Sequence, residues 1–227
     1  MKRIAIRWFT FYPGSDKISA EHHAMFHGEA FRSGMKSIHA KKATWFNSVR
    51  TPLQLVHSKQ LIPDLFQPAH NLVVSEAVKE KLLGLNKVGF LKVEFEKLVD
   101  FYSEKGVFEY YDMEEAYNEY GEPISPEEHL ISLPDDPEAH KSLKDFYEVI
   151  IPTDKELVDG KSFREVEIEM EPPSWHGNPL VIRYNQEQFE QHFLIKAQSS
   201  IIFEPSVFER IRPHIDFDYF LVKEFDL

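Results

Sequence analysis

The sequence predicts an α+β fold of two related lobes, each built on a strand, a short helix and a returning strand, packed with mostly antiparallel strands. Three observations carry this. A stretch of the chain occurs twice; the strand-like runs are short and bounded by Pro and Gly; and 42% apolar residues with 14% aromatics are enough to fill a core in 227 residues. Val74-Ser75-Glu76-Ala77-Val78-Lys79-Glu80-Lys81-Leu82, followed by Phe90-Leu91-Lys92-Val93-Glu94-Phe95, returns as Phe203-Glu204-Pro205-Ser206-Val207-Phe208-Glu209-Arg210-Ile211, followed by Phe220-Leu221-Val222-Lys223-Glu224-Phe225. Val78/Val207, Glu80/Glu209, Phe90/Phe220, Leu91/Leu221, Glu94/Glu224 and Phe95/Phe225 are identical. Such self-similarity marks one unit used twice.

The elements follow in order. Arg3 to Tyr12 is β-branched and aromatic and stops at Pro13-Gly14, which predicts a strand ended by a turn. Ser19 to Ser33 carries His22, Met25, Phe26 and Ala30 at helical spacing, with Gly34 as the stop. Thr44-Trp45-Phe46 and Leu53 to Val56 read as short strands among Pro52, Pro63 and Pro68. Leu72-Val73-Val74 is a strand feeding Ser75 as N-cap, a helix runs through Leu83 to Gly84, and Val88 to Phe95 is one returning strand. Phe101 to His140 loses its period and fills with proline, a connector with one helical turn around Met113-Glu114-Glu115-Ala116. Strands are expected at Lys144–Ile151, at Phe163–Met170 with a bulge where the alternation slips, and at Leu180–Tyr184. Asn185 with Gln188 starts a helix that puts Phe189, Phe193 and Ala197 on one face, and Ile201-Ile202-Phe203 leads into the second copy, where Pro205 suits a first helical turn. The chain then divides into residues 1–103, a connector 104–140 and residues 141–227.

Charge limits the partners. The net charge is −12, yet the first fifty residues hold nine Lys/Arg against three Asp/Glu, whereas Glu109 to Glu138 holds eleven carboxylates and no Lys or Arg. Such a field repels nucleic acid and anionic membranes and steers a basic protein toward the acidic stretch. Glu109, Asp112, Glu114, Glu115 and Glu119 supply the charge, and Tyr110, Tyr111, Tyr117 and Tyr120 the anchoring aromatics. The simpler reading is a solvated connector whose carboxylates keep the protein in solution. No apolar run is long enough to cross a membrane and Arg7 interrupts the start of the chain, so the expected compartment is the cytoplasm.

Candidate chemistry is sparse. Zero cysteines exclude a thiolate nucleophile and every Cys-based metal site. His22, His23, His27 and His39 cluster early, and His23 with His27 has the spacing for two imidazoles on one metal. No Glu follows as in H-E-x-x-H and no third ligand has a diagnostic spacing, so ordinary helix histidines are the simpler reading and neither metal nor cofactor is expected. Asp135-Asp136 and Asp216-Phe217-Asp218 lack a calcium-loop pattern and read as turn residues. No G-x-S-x-G exists; Ser75 and Ser206 belong to helix starts, and Glu165, Glu167 and Glu169 to the solvent face of a strand. Neither repeated helix follows a glycine-rich loop, and Glu204 would repel a phosphate, which argues against nucleotide binding. Trp175-His176 sits on a proline-flanked loop that reads as a hairpin tip or a binding loop.

Val73-Val74-Ser75-Glu76-Ala77-Val78, the glycine-terminated helix, Gly89-Phe90-Leu91-Lys92-Val93 and the second strand–helix–strand unit resemble the bacterial immunity proteins of polymorphic, contact-dependent toxin systems, in a family formerly described as a domain of unknown function. The likeness covers residues 70–100 and 180–227 and departs at Glu204-Pro205-Ser206, where the family has Ser-Glu. It implies a non-enzymatic cytoplasmic protein that neutralises a cognate toxin by binding it, with no catalytic residues. The alternative is a metal- or carboxylate-dependent hydrolase using the N-terminal histidines.

Overall fold

A computed structural model describes residues 1–8, 29–32, 53–58, 62–67, 71–99, 135–170, 179–217 and 220–227. The strands are β1 Lys2–Trp8, β2 Glu29–Arg32, β3 Leu53–Ser58, β4 Leu65–Phe66, β5 Val73–Ser75, β6 Gly89–Lys92, β7 Glu94–Val99, β8 Phe146–Ile150, β9 Arg164–Ile168, β10 Leu180–Tyr184, β11 Leu194–Ala197, β12 Ser200–Phe203 and β13 Phe220–Asp226. The helices are α1 Glu76–Leu82, α2 Pro137–Ser142, α3 Asp154–Val158, α4 Gln186–Glu190 and α5 Pro205–Ile211, the last followed by a 3₁₀ turn, Arg212–His214. The α+β class holds, and the strand–helix–strand unit occurs twice, as β5-α1-β6 and β12-α5-β13.

The two units match well beyond their sequence identity. Leu65 faces Val74 and Phe66 faces Val73 in one; Leu194 faces Phe203 and Ile195 faces Ile202 in the other. Ser75 donates its N–H to the Asp64 carbonyl at 2.8 Å, and Glu204 to the Phe193 carbonyl at 2.8 Å. Every residue in the second set stands at one constant displacement from its counterpart in the first. Both helices have seven residues, and Val78, Leu82, Val207 and Ile211 are fully buried. Each helix turns one stripe inward, the condition for a seven-residue helix to persist on packing rather than on its own hydrogen bonds.

The sheet orders are β4-β5-β8-β6 and β11-β12-β1-β13. Position by position they agree: an edge strand, the strand entering the helix, a third strand, and the strand leaving the helix. The third strands are exchanged. β1 precedes the first unit in the chain but pairs antiparallel with β12 and β13 of the second. β8 precedes the second unit but pairs antiparallel with β5 of the first. Two further elements cover the second sheet: the antiparallel β9–β10 pair and the helices α3 and α4, whose Leu157, Ile168, Leu180, Ile182 and Phe189 pack with Ala5, Ile195, Ile202 and Leu221 in one apolar cluster.

Compactness divides the chain into one unit of residues 1–12, 63–91 and 146–227, which holds both four-stranded sheets, and another of residues 13–62 and 92–145. The units therefore interleave along the chain. In the second unit β3 pairs antiparallel with β2 and parallel with β7.

Several local expectations are corrected. Residues 29–32 are a strand, not the end of a helix, because Ala30 and Phe31 pair with Leu55 and Gln54. The run from Val88 to Phe95 is two strands, β6 and β7, which separate at Val93 into different sheets. The β9–β10 register runs without a break, so no bulge is needed: Val166, Ile168 and Met170 turn inward while Phe163 and Arg164 are exposed. The helix after Asn185 stops at Glu190, so Phe193 is exposed and Ala197 lies in β11. The Thr44–Phe46 strand, the Met113–Ala116 turn and the remaining residues of the 19–33 helix lie outside the described residues. Gly84 ends α1 at φ 79, where a side chain would be strained.

The exchange can be tested with a disulfide, since the chain has no cysteine of its own. Lys2 and Asp226 face each other across β1 and β13. Lys2→Cys with Asp226→Cys should cross-link on mild oxidation and raise the unfolding midpoint, with a gain of up to about 5 kcal/mol for so long a loop. Failure to link would show that β1 does not lie beside β13.

Candidate interaction surface

The predicted partner-binding residues Glu109, Tyr110, Tyr111, Asp112, Glu114, Glu115, Tyr117, Glu119 and Tyr120 lie outside the described residues, as do His22, His23, His27, His39 and the Trp175-His176 loop. The C-terminal end of the acidic stretch is described, and its carboxylates have local duties. Asp136 caps α2, its Oδ1 accepting the N–H groups of Glu138 and Ala139 at 3.1 Å each, and Pro137 occupies the first turn, where a missing N–H costs nothing. Asp135 Oδ1 accepts the Leu98 N–H at 2.9 Å and meets His140 Nε2 at 2.9 Å, while the Asp136 N–H donates to the Leu98 carbonyl at 2.7 Å. Buried Leu98 is thereby clipped at both backbone groups, which fastens α2 to β7. These are turn and cap residues, as their spacing suggested. Burial works against the charge on Asp135, but the Leu98 N–H, His140 and the Asp136 N–H outweigh it and hold the carboxyl below its ordinary value.

A second polar cluster joins α1 to β8. Lys79 Nζ lies 2.9 and 3.2 Å from the Glu76 oxygens and 3.6 Å from the centre of the Tyr147 ring. Glu76 is the main reason that Tyr147 holds its proton to higher pH than an ordinary phenol: its carboxylate accepts the phenolic hydrogen bond, burial adds to the effect, and Lys79 opposes it. Glu76 also holds the Lys79 ammonium above its ordinary value. Ion pair, hydrogen bond and cation–π contact thus meet on one turn of helix. The cluster ties the exchanged strand β8 to the helix of the first unit.

The serines fit their structural reading. Ser75 is the N-cap residue of α1 but makes no capping bond, and its buried Oγ meets no hydrogen-bond partner. In the second unit Glu204 does the capping, accepting from Ser206 N at 3.0 Å and Val207 N at 3.3 Å, and Ser206 Oγ also donates to it. Glu165, Glu167 and Glu169 are exposed along β9, with Arg183 Nε 3.0 Å from Glu165, so they form the solvent face of the strand. Among the described residues, no group of three His, Asp or Glu is arranged to hold a metal ion. No described helix is long and apolar enough to cross a membrane.

What sequence reasoning missed is the outer side of β13, where Val222, Glu224 and Asp226 are exposed in alternation. The alternation was visible, but nothing local showed that β13 is a sheet edge. Exposed Phe217 lies under Arg212, 5.9 Å from guanidinium to ring, and exposed Phe163 under Arg183 at 5.8 Å.

Compared with known protein families, curated proteins and solved structures, the chain matches none.

Two titrations test these contacts. Because folding lowers the Asp135 carboxyl, its contribution is complete above the ordinary Asp value of about 3.9 and is lost as pH falls through the lowered one. Exchange of the Leu98 amide, corrected for its intrinsic rate, should therefore quicken in that acid window, and Asp135→Asn should quicken it already at neutral pH; unchanged protection would refute the clip. Tyr147, followed by NMR, should titrate at lower pH in Glu76→Gln than in the parent, and an unmoved midpoint would remove Glu76 as the cause.

Proposed function

We propose that this chain is a non-enzymatic binding protein, an immunity protein that sits in the bacterial cytoplasm and neutralises a cognate toxin by direct contact with a basic surface of it. The observation that carries this is the distribution of charge: eleven carboxylates and no Lys or Arg from Glu109 to Glu138, interleaved with Tyr110, Tyr111, Tyr117 and Tyr120. The described end of the stretch sharpens it. Asp135, Asp136 and Glu138 are engaged locally, Glu138 with Lys141 at 2.6 Å. Glu109, Asp112, Glu114, Glu115 and Glu119 precede them and are the ones assigned to the partner. Opposite charge draws the toxin in and aromatic contacts hold it, a division that places charge in the association rate and packing in the dissociation rate. The same field disfavours nucleic acid and anionic lipid. The resemblance to immunity proteins in residues 70–100 and 180–227 supports the choice of a toxin as partner.

The test is kinetic. Glu114→Gln, Glu115→Gln and Glu119→Gln together should lower the association rate with the toxin by several-fold or more at low salt, with a smaller change in dissociation, and the difference should fade above about 0.1 M salt as screening sets in. An unchanged association rate at low salt would overturn the reading. Stoichiometric zinc held by His23 and His27 would favour the hydrolase instead.

A further inference from the structure

A strand at the edge of a sheet turns half of its backbone hydrogen-bonding groups away from its neighbour, and among the described residues β13 is the edge beside β1. Which half is fixed by the register. Met1 and Leu227 exchange backbone bonds, at 2.9 Å from the Met1 amino group and 3.0 Å from the Leu227 N–H. Antiparallel pairs alternate, so Arg3/Phe225 and Ala5/Lys223 also exchange bonds, whereas Lys2/Asp226, Ile4/Glu224 and Ile6/Val222 do not. The N–H and C=O groups of Val222, Glu224 and Asp226 therefore point outward, and no strand among the described residues pairs with them. The side chains of the same three residues are exposed. Backbone and side chains coincide in one open row of about 13 Å, apolar at one end and acidic at the other.

The charges select the occupant. Glu224 meets Lys2 at 3.2 Å and Asp226 the Met1 amino group at 3.9 Å, and with Lys2 and both carboxylates exposed these pairs exchange readily for a partner's cations. A second copy is disfavoured: antiparallel self-pairing about Glu224 sets Glu224 against Glu224, between molecules that each carry a net charge of −12. We infer that β13 takes up an extended basic segment of a protein partner as an additional strand, with lysine or arginine opposite Glu224 and Asp226 and an apolar residue opposite Val222. Backbone bonds supply the attachment and alternate side chains the selectivity. The inference rests on the reading of the partner as a basic protein, and it adds a second place of contact to the acidic stretch.

The experiment uses the whole protein and a capped ten-residue peptide that carries lysine, lysine and valine at three successive alternate positions, with threonine between them, so that one face can set lysine against Asp226 and Glu224 and valine against Val222. Three controls accompany it: the same peptide with glutamate in place of lysine, the lysine peptide N-methylated at alternate backbone nitrogens, and the variants Glu224→Pro and Glu224→Gln. The lysine peptide should slow amide exchange at Val222, Glu224 and Asp226, and the glutamate and N-methylated peptides should not. Glu224→Pro removes an outward N–H that β1 does not use, a substitution edge strands tolerate, and should weaken binding about five- to tenfold or more. Glu224→Gln should weaken it less and reduce its salt dependence. Should Glu224→Pro fail to fold, the N-methylated peptide still decides. Equal binding of the N-methylated or glutamate peptide, or protection elsewhere than on β13, overturns the inference. Because the peptide reports on β13 alone and the Glu114/Glu115/Glu119 variant on the acidic stretch, failure of one is distinguishable from failure of the other.

Discussion

The placement of β1 between β12 and β13 is the constraint on which the larger unit depends. A third strand with neighbours on both sides satisfies two ladders at once; without it, the sheet opens into a two-stranded pair and a lone strand, neither stable in water. β8 does the same for the first sheet. Contacts between the two copies reinforce the exchange. His214 Nδ1 reaches Asp64 at 3.2 Å, the Asn86 side chain donates to the Gln191 carbonyl at 3.3 Å, and the Gln67 side chain donates to the Ser199 carbonyl at 3.0 Å. These are individually modest bonds, but each reaches from one repeat to the other.

One residue shows how the copies have diverged. Arg3 is 2% exposed on β1, where the pairing of β8 with β5 sets the apolar Phe146 at the corresponding place. A buried guanidinium needs acceptors. Arg3 finds them where α4 ends: Nη1 donates to the His192 carbonyl at 2.9 Å, Nη2 to the Phe189 carbonyl, and Nη2 also meets Met1 Sδ at 3.4 Å. Carbonyls exposed at a helix end carry partial negative charge, so a cation there is stabilised without a carboxylate in contact. Burial still draws the group below its ordinary value, while Glu204 and Glu190 pull it back. The Nε has no partner. Arg3 thus locks α4 onto the exchanged strand, a task that the first sheet, with no such helix on it among the described residues, does not need.

The repeat was legible because Val78, Leu82, Val207 and Ile211 face the core both times, and a buried stripe constrains sequence directly. β4 and β11 were not, since two and four residues are too short to show a period. The exchange was invisible for a different reason: which strand lies beside which is a non-local fact, and β1 and β8 look locally like any buried strand. Two short helices did leave signals, the Thr153-x-x-Glu156 capping box of α3 and the Asp136-Pro137 start of α2. Val93 misled because an unbroken apolar pattern says nothing about a change of sheet. The acidic stretch is read from composition alone, whereas the outer row of β13 needed the ladder with β1 before its exposed alternation acquired a meaning.

The exchange also sets a timetable. Ile4 and Ile6 pair with Phe203 and Ile201, and at a synthesis rate of about 5–20 residues per second those partners emerge roughly 10–40 s after β1 has left the ribosome. During that interval β1 is an apolar strand without a ladder, and β5 and β6 wait in turn for β8. Contacts so distant in sequence close slowly even in the finished chain. A protein made this way spends its youth with open edges, and its yield in a cell depends on whatever shields nascent strands until the second copy arrives.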